Sequence, residues 1–247
     1  MRPLRVIETG VAPAPWNTRV SLALLESFER DPSADVLRVY RFQKCVLLGR
    51  SQDADTCVDI AYCRQHEIAI ARRITGGGAV YMSPRMLTWD FVTCATAGHA
   101  ELSETIGRAI AGSLTSLGIA AEFRAPNDLV AKDRKISGAA TTSFGRSFLH
   151  QGTLLLDDDA QEVAAALRVP IATLRAHITS IAACMDQVPN LATLRDAIAT
   201  GLAKAFNLAP TPSTLSPREV DLAARDLRDE IGLDTPLSDH DSVEVDA

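Results

Sequence analysis

The sequence predicts an α+β fold: a mixed, largely antiparallel β-sheet packed by helices on one side. Two observations favour this class. Strand-like and helix-like runs do not alternate strictly, as a doubly wound parallel sheet requires. Several neighbouring apolar runs are separated by only a few turn residues, which is typical of antiparallel pairs. With 247 residues, of which 47% are hydrophobic, the chain is long enough to bury a sizeable core.

The N-terminal half begins with the run LRVIET, which predicts a first strand. Residues 17–30 predict a helix, because their apolar side chains recur on one face. The runs VLRVYRF and KCVLLGR are both β-prone and together predict a hairpin or meander. A short helix at residues 60–66 should precede a strand at AIARR. After three glycines, AVYM and MLTWDFVTC predict two strands joined by a turn at Pro84.

The C-terminal half begins with an amphipathic pattern over residues 102–117, which predicts a helix. A strand at AAEFR, a loop at APNDL, a hairpin at VAKDRKIS and a strong strand at FLHQGTLLLD follow. AQEVAAALRV and LATLRDAIATGLAKAFNL predict two further helices. The Pro-containing stretch PTPSTLSP predicts a linker. We therefore expect a catalytic domain over residues 1–209, and a linker, a charged helix (218–231) and a flexible acidic tail over residues 210–247.

The net charge of −6 is concentrated at the C-terminal end, where residues 217–247 hold ten acidic side chains and three arginines. The remainder is close to neutral, which argues against a nucleic-acid-binding body. No apolar run reaches the roughly 18 residues of a membrane span. The five cysteines show no CxxC spacing, which argues against a disulfide framework and a zinc knuckle. A cytoplasmic protein that binds neither membrane nor nucleic acid is expected.

The stretch RRITGGGAVY, residues 72–81, contains the densest run of glycine. Glycine loses much backbone freedom on folding, so three in a row indicate that something approaches bare backbone here. The run matches neither a P-loop nor a dinucleotide-binding fingerprint. It can still present N–H groups to an anion, with Arg72 or Arg73 adding positive charge. The alternative is a β-bulge or a close strand crossing without a ligand.

Two later segments carry further candidates. In RAPNDLVAKDRKISGAA, Lys135 precedes the small residues Ser137, Gly138 and Ala139, so a ligand can lie against the backbone beside a cation. The alternative is an ordinary solvated lysine in a hairpin. In FLHQGTLLLD, His150 is a titratable residue, but a lone histidine in a strand more often packs or donates a hydrogen bond than acts as a base.

Taken together, RRITGGGAVY, PNDL, KDRKISGAA and HQGTLLLD, in this order and spacing, resemble the lipoate–protein ligase A family. PWNTRVSLALLE and CVLLGRSQD upstream resemble its opening segments, so the resemblance runs from about Leu4 to Leu208. This family shares an α+β superfamily with biotin ligases and octanoyltransferases. The resemblance implies a two-step ligation: lipoate and ATP, with Mg²⁺, give lipoyl-AMP, and a lysine of a lipoyl domain then takes the lipoyl group.

The resemblance also implies roles for individual residues. Lys135 would be the catalytic cation that bridges the acyl carboxylate and the adenylate phosphate. Arg73 would pair with an anion, and Asp128 would help to hold Mg²⁺ or the phosphates, or would steer the attacking amine. The full set of lipoate- and adenylate-binding residues that it implies is Arg73, Gly76, Gly77, Gly78, Ala79, Asn127, Asp128, Ser137, Gly138, Ala139, His150 and Gly152.

The carrier implied by the resemblance is a dehydrogenase E2, a glycine-cleavage H protein or a dedicated lipoate-binding protein. Two departures from the family pattern leave alternatives open. Residues 82–86, MSPRM, replace the usual turn and are followed by an octanoyltransferase-like segment. An acyltransferase that needs no ATP is therefore one alternative. Against it, the stretch AEFRAPND lacks the cysteine that the acyltransferase reaction needs. A non-catalytic binding homologue is the other. The short C-terminal segment is the second departure, and it leaves two alternatives: this segment covers the site, or a separate accessory subunit completes it.

Overall fold

The structure, a computed structural model, describes residues 1–229, and side chains up to residue 225. Its strands are β1 (Arg2–Ala12), β2 (Asp35–Phe42), β3 (Cys45–Leu48), β4 (Ala69–Arg72), β5 (Val80–Met82), β6 (Met86–Cys94), β7 (Ala121–Arg124), β8 (Asp128–Ala131), β9 (Arg134–Phe144), β10 (Ser147–Leu155) and β11 (Leu208–Ser213). Its helices are α1 (Ala14–Arg30), α2 (Ala54–Cys57), α3 (Ile60–Gln65), α4 (His99–Ser116), α5 (Ala160–Ala166), α6 (Ile171–His177), α7 (Ile181–Cys184), α8 (Leu191–Phe206) and α9 (Pro217–Asp229).

The main sheet has eight strands in the order β11-β1-β2-β6-β10-β9-β8-β7. Strand β1 pairs in parallel with both β11 and β2, and every other neighbouring pair is antiparallel. The predicted mixed, largely antiparallel sheet is therefore confirmed. The hairpin predicted at VAKDRKIS is also confirmed, because β8 and β9 turn at Lys132 and Asp133, whose φ angles of 50° and 60° suit a tight hairpin.

A second sheet of three strands has the order β4-β3-β5. The predicted pairing of VLRVYRF with KCVLLGR is wrong, because β2 lies in the main sheet and β3 in this smaller one. Both edges of β2 are already paired, with β1 and β6, so β3 has no edge there to join. It pairs instead with β4 and β5. A cavity opens where the two sheets meet.

Helices cover both faces of the main sheet, which corrects the prediction of helices on one side. Leu37 and Phe91 pack in an apolar cluster with α4 and α8, whereas their neighbours Val36 and Val92 pack with α1 and α9. This split follows from the alternation of side chains along a strand. No helix within residues 1–229 has the length and apolar character needed to cross a membrane.

The stretch PTPSTLSP was predicted to be a linker, but its first half belongs to the sheet. β11 pairs in parallel with β1, from Leu208 beside Arg2 to Ser213 beside Ile7. Helix α9 then packs on α1, and Glu219 makes an ion pair with Arg5 at 2.7 Å. The division of the chain at residue 209 stays a prediction. The predicted acidic tail from residue 230 onward lies outside the described residues.

Candidate functional site

A cavity of about 410 Å³ lies between the two sheets and is covered by α5 and α6. This volume lies within the range of small-molecule sites, about 300–1,000 Å³. Much of the lining is apolar, which suits an acyl chain. The apolar side chains come from both sheets and from the two covering helices: Tyr40, Phe42, Leu47, Val80, Tyr81, Met82, Met86, Leu155, Val163, Leu167, Leu174 and Ile178.

The glycine loop, residues 74–79, forms one wall of the cavity, and Arg73 holds it in place. The buried guanidinium of Arg73 donates to the carbonyl oxygens of Gly76 (2.7 Å) and Gly78 (2.9 Å), and also to Leu47 (3.0 Å). Burial lowers the pKa of Arg73 to about 10. We expected this side chain to bind an anion, but in this structure it binds backbone carbonyl groups instead.

The carbonyl contacts fix the direction of two N–H groups. In a trans peptide the C=O and the following N–H point in opposite directions. Because the carbonyl groups of Gly76 and Gly78 point at the guanidinium, the N–H groups of Gly77 and Ala79 point away from it. Within residues 1–229 neither N–H has a hydrogen-bond partner. The loop therefore presents donors to an anion, as a backbone nest does.

The neighbouring segment GRSQ supports the glycine loop from behind. A Cβ on Gly49 would lie 2.0 Å from the carbonyl oxygen of Gly77, so the two backbones touch and only glycine fits there. Arg72 holds the same segment through the carbonyl oxygens of Gly49 (3.1 Å), Arg50 (3.2 Å) and Gln52 (2.7 Å). Both arginines of the RRITGGG stretch thus order backbone.

Lys135 lies on the opposite wall, on β9. Its Nζ is 2.7 Å from Asp128 Oδ1, and the two side chains are 41% and 29% exposed. The space above Gly138 holds this side chain, since a Cβ there would lie 2.7 Å from both Cε and Nζ of Lys135. We expected the small residues after Lys135 to make room for a ligand; Gly138 in fact makes room for the lysine itself.

A β-bulge decides the direction in which Lys135 points. The pairing with β8 runs from Leu129 beside Ser137 directly to Val130 beside Lys135, so one extra residue is inserted at Ile136. In a regular strand, two residues three positions apart, such as Lys135 and Gly138, point to opposite faces of the sheet. The inserted residue instead places Lys135 on the same face as Gly138. The loop before β8 is fixed to β9 as well, because Asn127 and Ala139 exchange hydrogen bonds, the backbone one at 3.0 Å.

Comparison with known families identifies the family of this chain. Residues 13–203 match the family described as "Lipoyl protein ligase A/B catalytic domain". The chain belongs to this family. Lipoate-protein ligase LplJ of Bacillus subtilis is 30% identical over 179 residues, which cover 68% of this chain and 54% of LplJ. The chain therefore spans about half the length of this curated relative.

Solved structures agree with this assignment to the lipoyl ligase family. A bipartite lipoate protein ligase, solved with its E2 lipoyl domain from Thermoplasma acidophilum, has a TM-score of 0.83, with 26% identity and coverage of 98% of this chain and 100% of that one. A lipoate-protein ligase A bound with ATP (TM-score 0.78) and a T. acidophilum protein with bound lipoic acid (0.76) are each 28% identical, covering 92% of this chain and 94% of theirs.

Most of the predicted site residues lie together. Ten of them line the cavity: Lys135, Arg73, Gly76, Gly77, Gly78, Ala79, Asn127, Gly138, Ala139 and Gly152. Asp128 joins the site through its ion pair with Lys135. Ser137 is buried and does not line the cavity, because the bulge turns it to the other face.

His150 is also turned away from the cavity of this lipoyl ligase family member. It is buried on the opposite face of β10, where its Nδ1 accepts a hydrogen bond from Trp89 Nε1 at 3.3 Å. Burial lowers its pKa to about 4. The histidine is therefore a neutral core residue, and the motif HQGTLLL contributes Gln151 and the Gly152 backbone to the cavity.

The stretch MSPRM, which departs from the family pattern, has a structural role here. Ser83 donates a short hydrogen bond to Asp159 at the start of α5, and Arg85 binds the carbonyl oxygen of Asp158 at 3.0 Å. Met82 and Met86, on either side of the turn, line the cavity. Sequence reasoning missed these two residues, although their position beside a motif and their apolar character were visible.

The described residues do not form a metal-binding site by themselves. Within residues 1–229 no cluster of three or more His, Cys, Asp or Glu side chains could hold one. Near the cavity, Asp128 is the carboxylate that we predicted for Mg²⁺, and it is ion-paired with Lys135. Mg²⁺ is commonly held by one or two carboxylates together with substrate phosphates. The residues therefore fit an ion that arrives with a nucleotide, not a preformed protein cage.

Proposed function

We propose that this chain is an ATP-dependent lipoate–protein ligase, which forms lipoyl-AMP and then transfers the lipoyl group to a lysine of a lipoyl domain. The carrying observation is that Lys135 and the glycine loop, whose Gly77 and Ala79 N–H groups have no hydrogen-bond partner within residues 1–229, line one cavity with an apolar lining. A cation and fixed N–H donors suit two anions, a carboxylate and an α-phosphate, whereas the apolar side chains suit the lipoyl chain. The ATP-bound and lipoic-acid-bound relatives support both substrates.

In the first step, a carboxylate oxygen of lipoate attacks the α-phosphorus of ATP, and the bond to pyrophosphate breaks. Lys135 offsets the repulsion between the two anions, and the N–H groups of Gly77 and Ala79 stabilise the phosphate oxygens. In the second step, the amine of the carrier lysine attacks the acyl carbon, AMP leaves, and the amine releases one proton to solvent. Mg²⁺ would neutralise the phosphates, with Asp128 as the nearby carboxylate.

The test is to incubate the protein with lipoate, ATP and Mg²⁺ and to measure lipoyl-AMP and pyrophosphate by mass spectrometry. We expect both products. Lys135→Ala should lose them while its thermal unfolding stays unchanged, because the side chain is part-exposed. Lys132→Ala is the matched control, since Lys132 lies on the same hairpin, is exposed and does not line the cavity. Normal adenylation by Lys135→Ala would contradict the role of Lys135.

An acyltransferase that works without ATP is the second candidate, and its reaction needs a cysteine nucleophile. No cysteine lines the cavity in the part of the chain that the structure describes. A wild-type protein that makes no adenylate, but moves an acyl group from one carrier protein to another, would establish the transferase instead. Binding of lipoyl-AMP without either reaction would establish a non-catalytic homologue.

We further propose that the acceptor is a lipoyl-domain carrier and that a separate accessory subunit associates with this chain. The bipartite T. acidophilum ligase, solved with its E2 lipoyl domain, supports both points because it matches nearly the whole of this chain. The experiment adds a purified E2 lipoyl domain to the adenylation mixture and follows its mass. The mass of the lipoyl domain is expected to increase by one lipoyl group. The cytoplasmic location of the protein stays a prediction.

A further inference from the structure

A chain of hydrogen bonds links the glycine loop to a buried ion pair on the face of the main sheet that α1 covers. Arg38 and Asp90 form this pair, with Nη1 and Oδ2 3.2 Å apart, and both side chains are fully buried. Asp90 also accepts from Tyr40 (3.1 Å) and Ser21 (2.7 Å). These contacts fix the carboxylate from several sides, so it is a rigid acceptor.

Gln151 connects this carboxylate to the loop. Its Nε2 donates to Asp90 Oδ1 at 2.9 Å and to Ser21 Oγ at 3.2 Å, so its Oε1 faces the other way. That oxygen accepts from Thr75 Oγ1 at 3.0 Å. Thr75 in turn accepts from Arg73 Nε at 3.1 Å. The chain therefore runs without a gap from Asp90 to the arginine that holds the glycine carbonyl groups.

Each link in this chain has a fixed polarity. A carboxylate in an ion pair only accepts and a guanidinium only donates, so the amide of Gln151 and the hydroxyl of Thr75 each have a single consistent orientation. Thr75 is fully buried, which makes an unpaired hydroxyl there unfavourable. Arg73 uses its remaining N–H groups on Leu47, Gly76 and Gly78. Thr75 is therefore one of the groups that fix the rotation of Arg73.

We propose that Thr75 and Gln151 are positioning residues: they orient Arg73, and through it the N–H groups of Gly77 and Ala79, for the acyl-adenylate. The part of this inference that concerns turnover rests on the proposed function. Neither residue needs to touch the reacting atoms. The buried Arg38–Asp90 pair, which does not line the cavity, serves as the fixed point of the chain.

The test uses Thr75→Val, which keeps the side-chain shape and removes both hydrogen bonds, and Thr75→Ser, which keeps the hydroxyl. Hydrogen–deuterium exchange of the Arg50 amide, which donates to the carbonyl oxygen of Thr75 at 3.1 Å, should speed up about tenfold in the free valine variant, as expected for the loss of roughly one hydrogen bond. The serine variant should exchange like wild type. Thr115→Val, on the exposed face of α4, is the matched control and should change nothing.

The second readout is steady-state adenylation. In Thr75→Val, kcat should fall about 10- to 100-fold with a smaller change in KM for lipoate, because misplacement of the loop affects the transition state. Thr75→Ser should restore kcat. Combining Thr75→Val with Gln151→Met should be no worse than Thr75→Val alone, because both changes break one chain. Losses that multiply, or exchange that stays slow, would overturn the inference. If wild type forms no adenylate, the proposed function fails, and the exchange data still decide the positioning role.

Discussion

Gly138→Ala separates folding from catalysis. The added Cβ would lie 2.7 Å from Cε and Nζ of Lys135 and 3.7 Å from Asp128 Oδ1. Both close atoms belong to the end of a flexible side chain, so the lysine moves and the strand does not. An ordinary contact starts at 3.4 Å, so the ammonium group must retreat by about 0.7 Å.

This displacement has a small effect on stability. The Lys135–Asp128 pair is part-exposed, and such pairs contribute about 0–1 kcal/mol. Glycine within a strand is itself unfavourable by about 0.5–1 kcal/mol relative to alanine. The free energy of unfolding should therefore change by less than about 1 kcal/mol. The rate should suffer much more, because misplacing a catalytic group by 1 Å lowers rates by about a hundredfold.

The assay is lipoyl-AMP formation under saturating lipoate and ATP, with urea unfolding measured on the same samples. We expect a loss of kcat of about 10- to 100-fold in Gly138→Ala. The control is Gly112→Ala on the exposed face of α4, where a Cβ meets nothing within 4 Å. A Gly138→Ala enzyme with the full wild-type rate would refute the conclusion that the position of Lys135 Nζ controls the chemistry.

Two further predictions concern the cavity wall and the core. Met86 lines both the main cavity and a neighbouring one of about 220 Å³. Met86→Ala should join the two cavities and raise the adenylation rate with dodecanoate relative to octanoate at least about tenfold. An unchanged preference would show that Met86 does not limit chain length. His150 has a folded-state pKa of about 4, below its ordinary 6.5, so the unfolded chain binds the proton first. Its contribution is complete above pH 6.5 and is lost as the pH falls towards 4, by about 3 kcal/mol. Urea unfolding between pH 6.5 and pH 4 should show this loss in the free energy of unfolding, and His150→Asn should reduce its dependence on pH.

Much of the site was visible in the sequence because it depends on local patterns. The glycines predicted close backbone approach, and the structure shows where it occurs, between Gly77 and Gly49. The hairpin at Lys132 and Asp133 followed from its turn residues. Lys135 was identified through the family resemblance.

Other features depend on contacts between distant segments. The bulge at Ile136 reverses the simple alternation, so regular-strand reasoning places Ser137 and Lys135 on one face when they lie on opposite faces. The burial of His150 depends on Trp89, 61 positions away along the chain. Arg73 was expected to bind an anion because an isolated arginine is a cation. Its actual partners are backbone carbonyl groups, which come close to it only in the folded loop.

The strand β11 was missed for a related reason. Its two prolines indicate a break in regular structure, but β11 is an edge strand, where proline is tolerated because one side needs no donor. Its pairing with β1 joins residues about 200 positions apart in the chain. Local composition carries no information about such a pairing.

The most direct test of the central claim, that this cavity forms an acyl-adenylate, is mass-spectrometric measurement of the products from lipoate, ATP and Mg²⁺ in wild type and in Lys135→Ala. We predict lipoyl-AMP and pyrophosphate from wild type and neither from the variant, with unchanged thermal unfolding. Equal yields from the two proteins would contradict the role of Lys135. A wild-type protein that releases no pyrophosphate, with or without an added lipoyl domain, would contradict the ligase function itself.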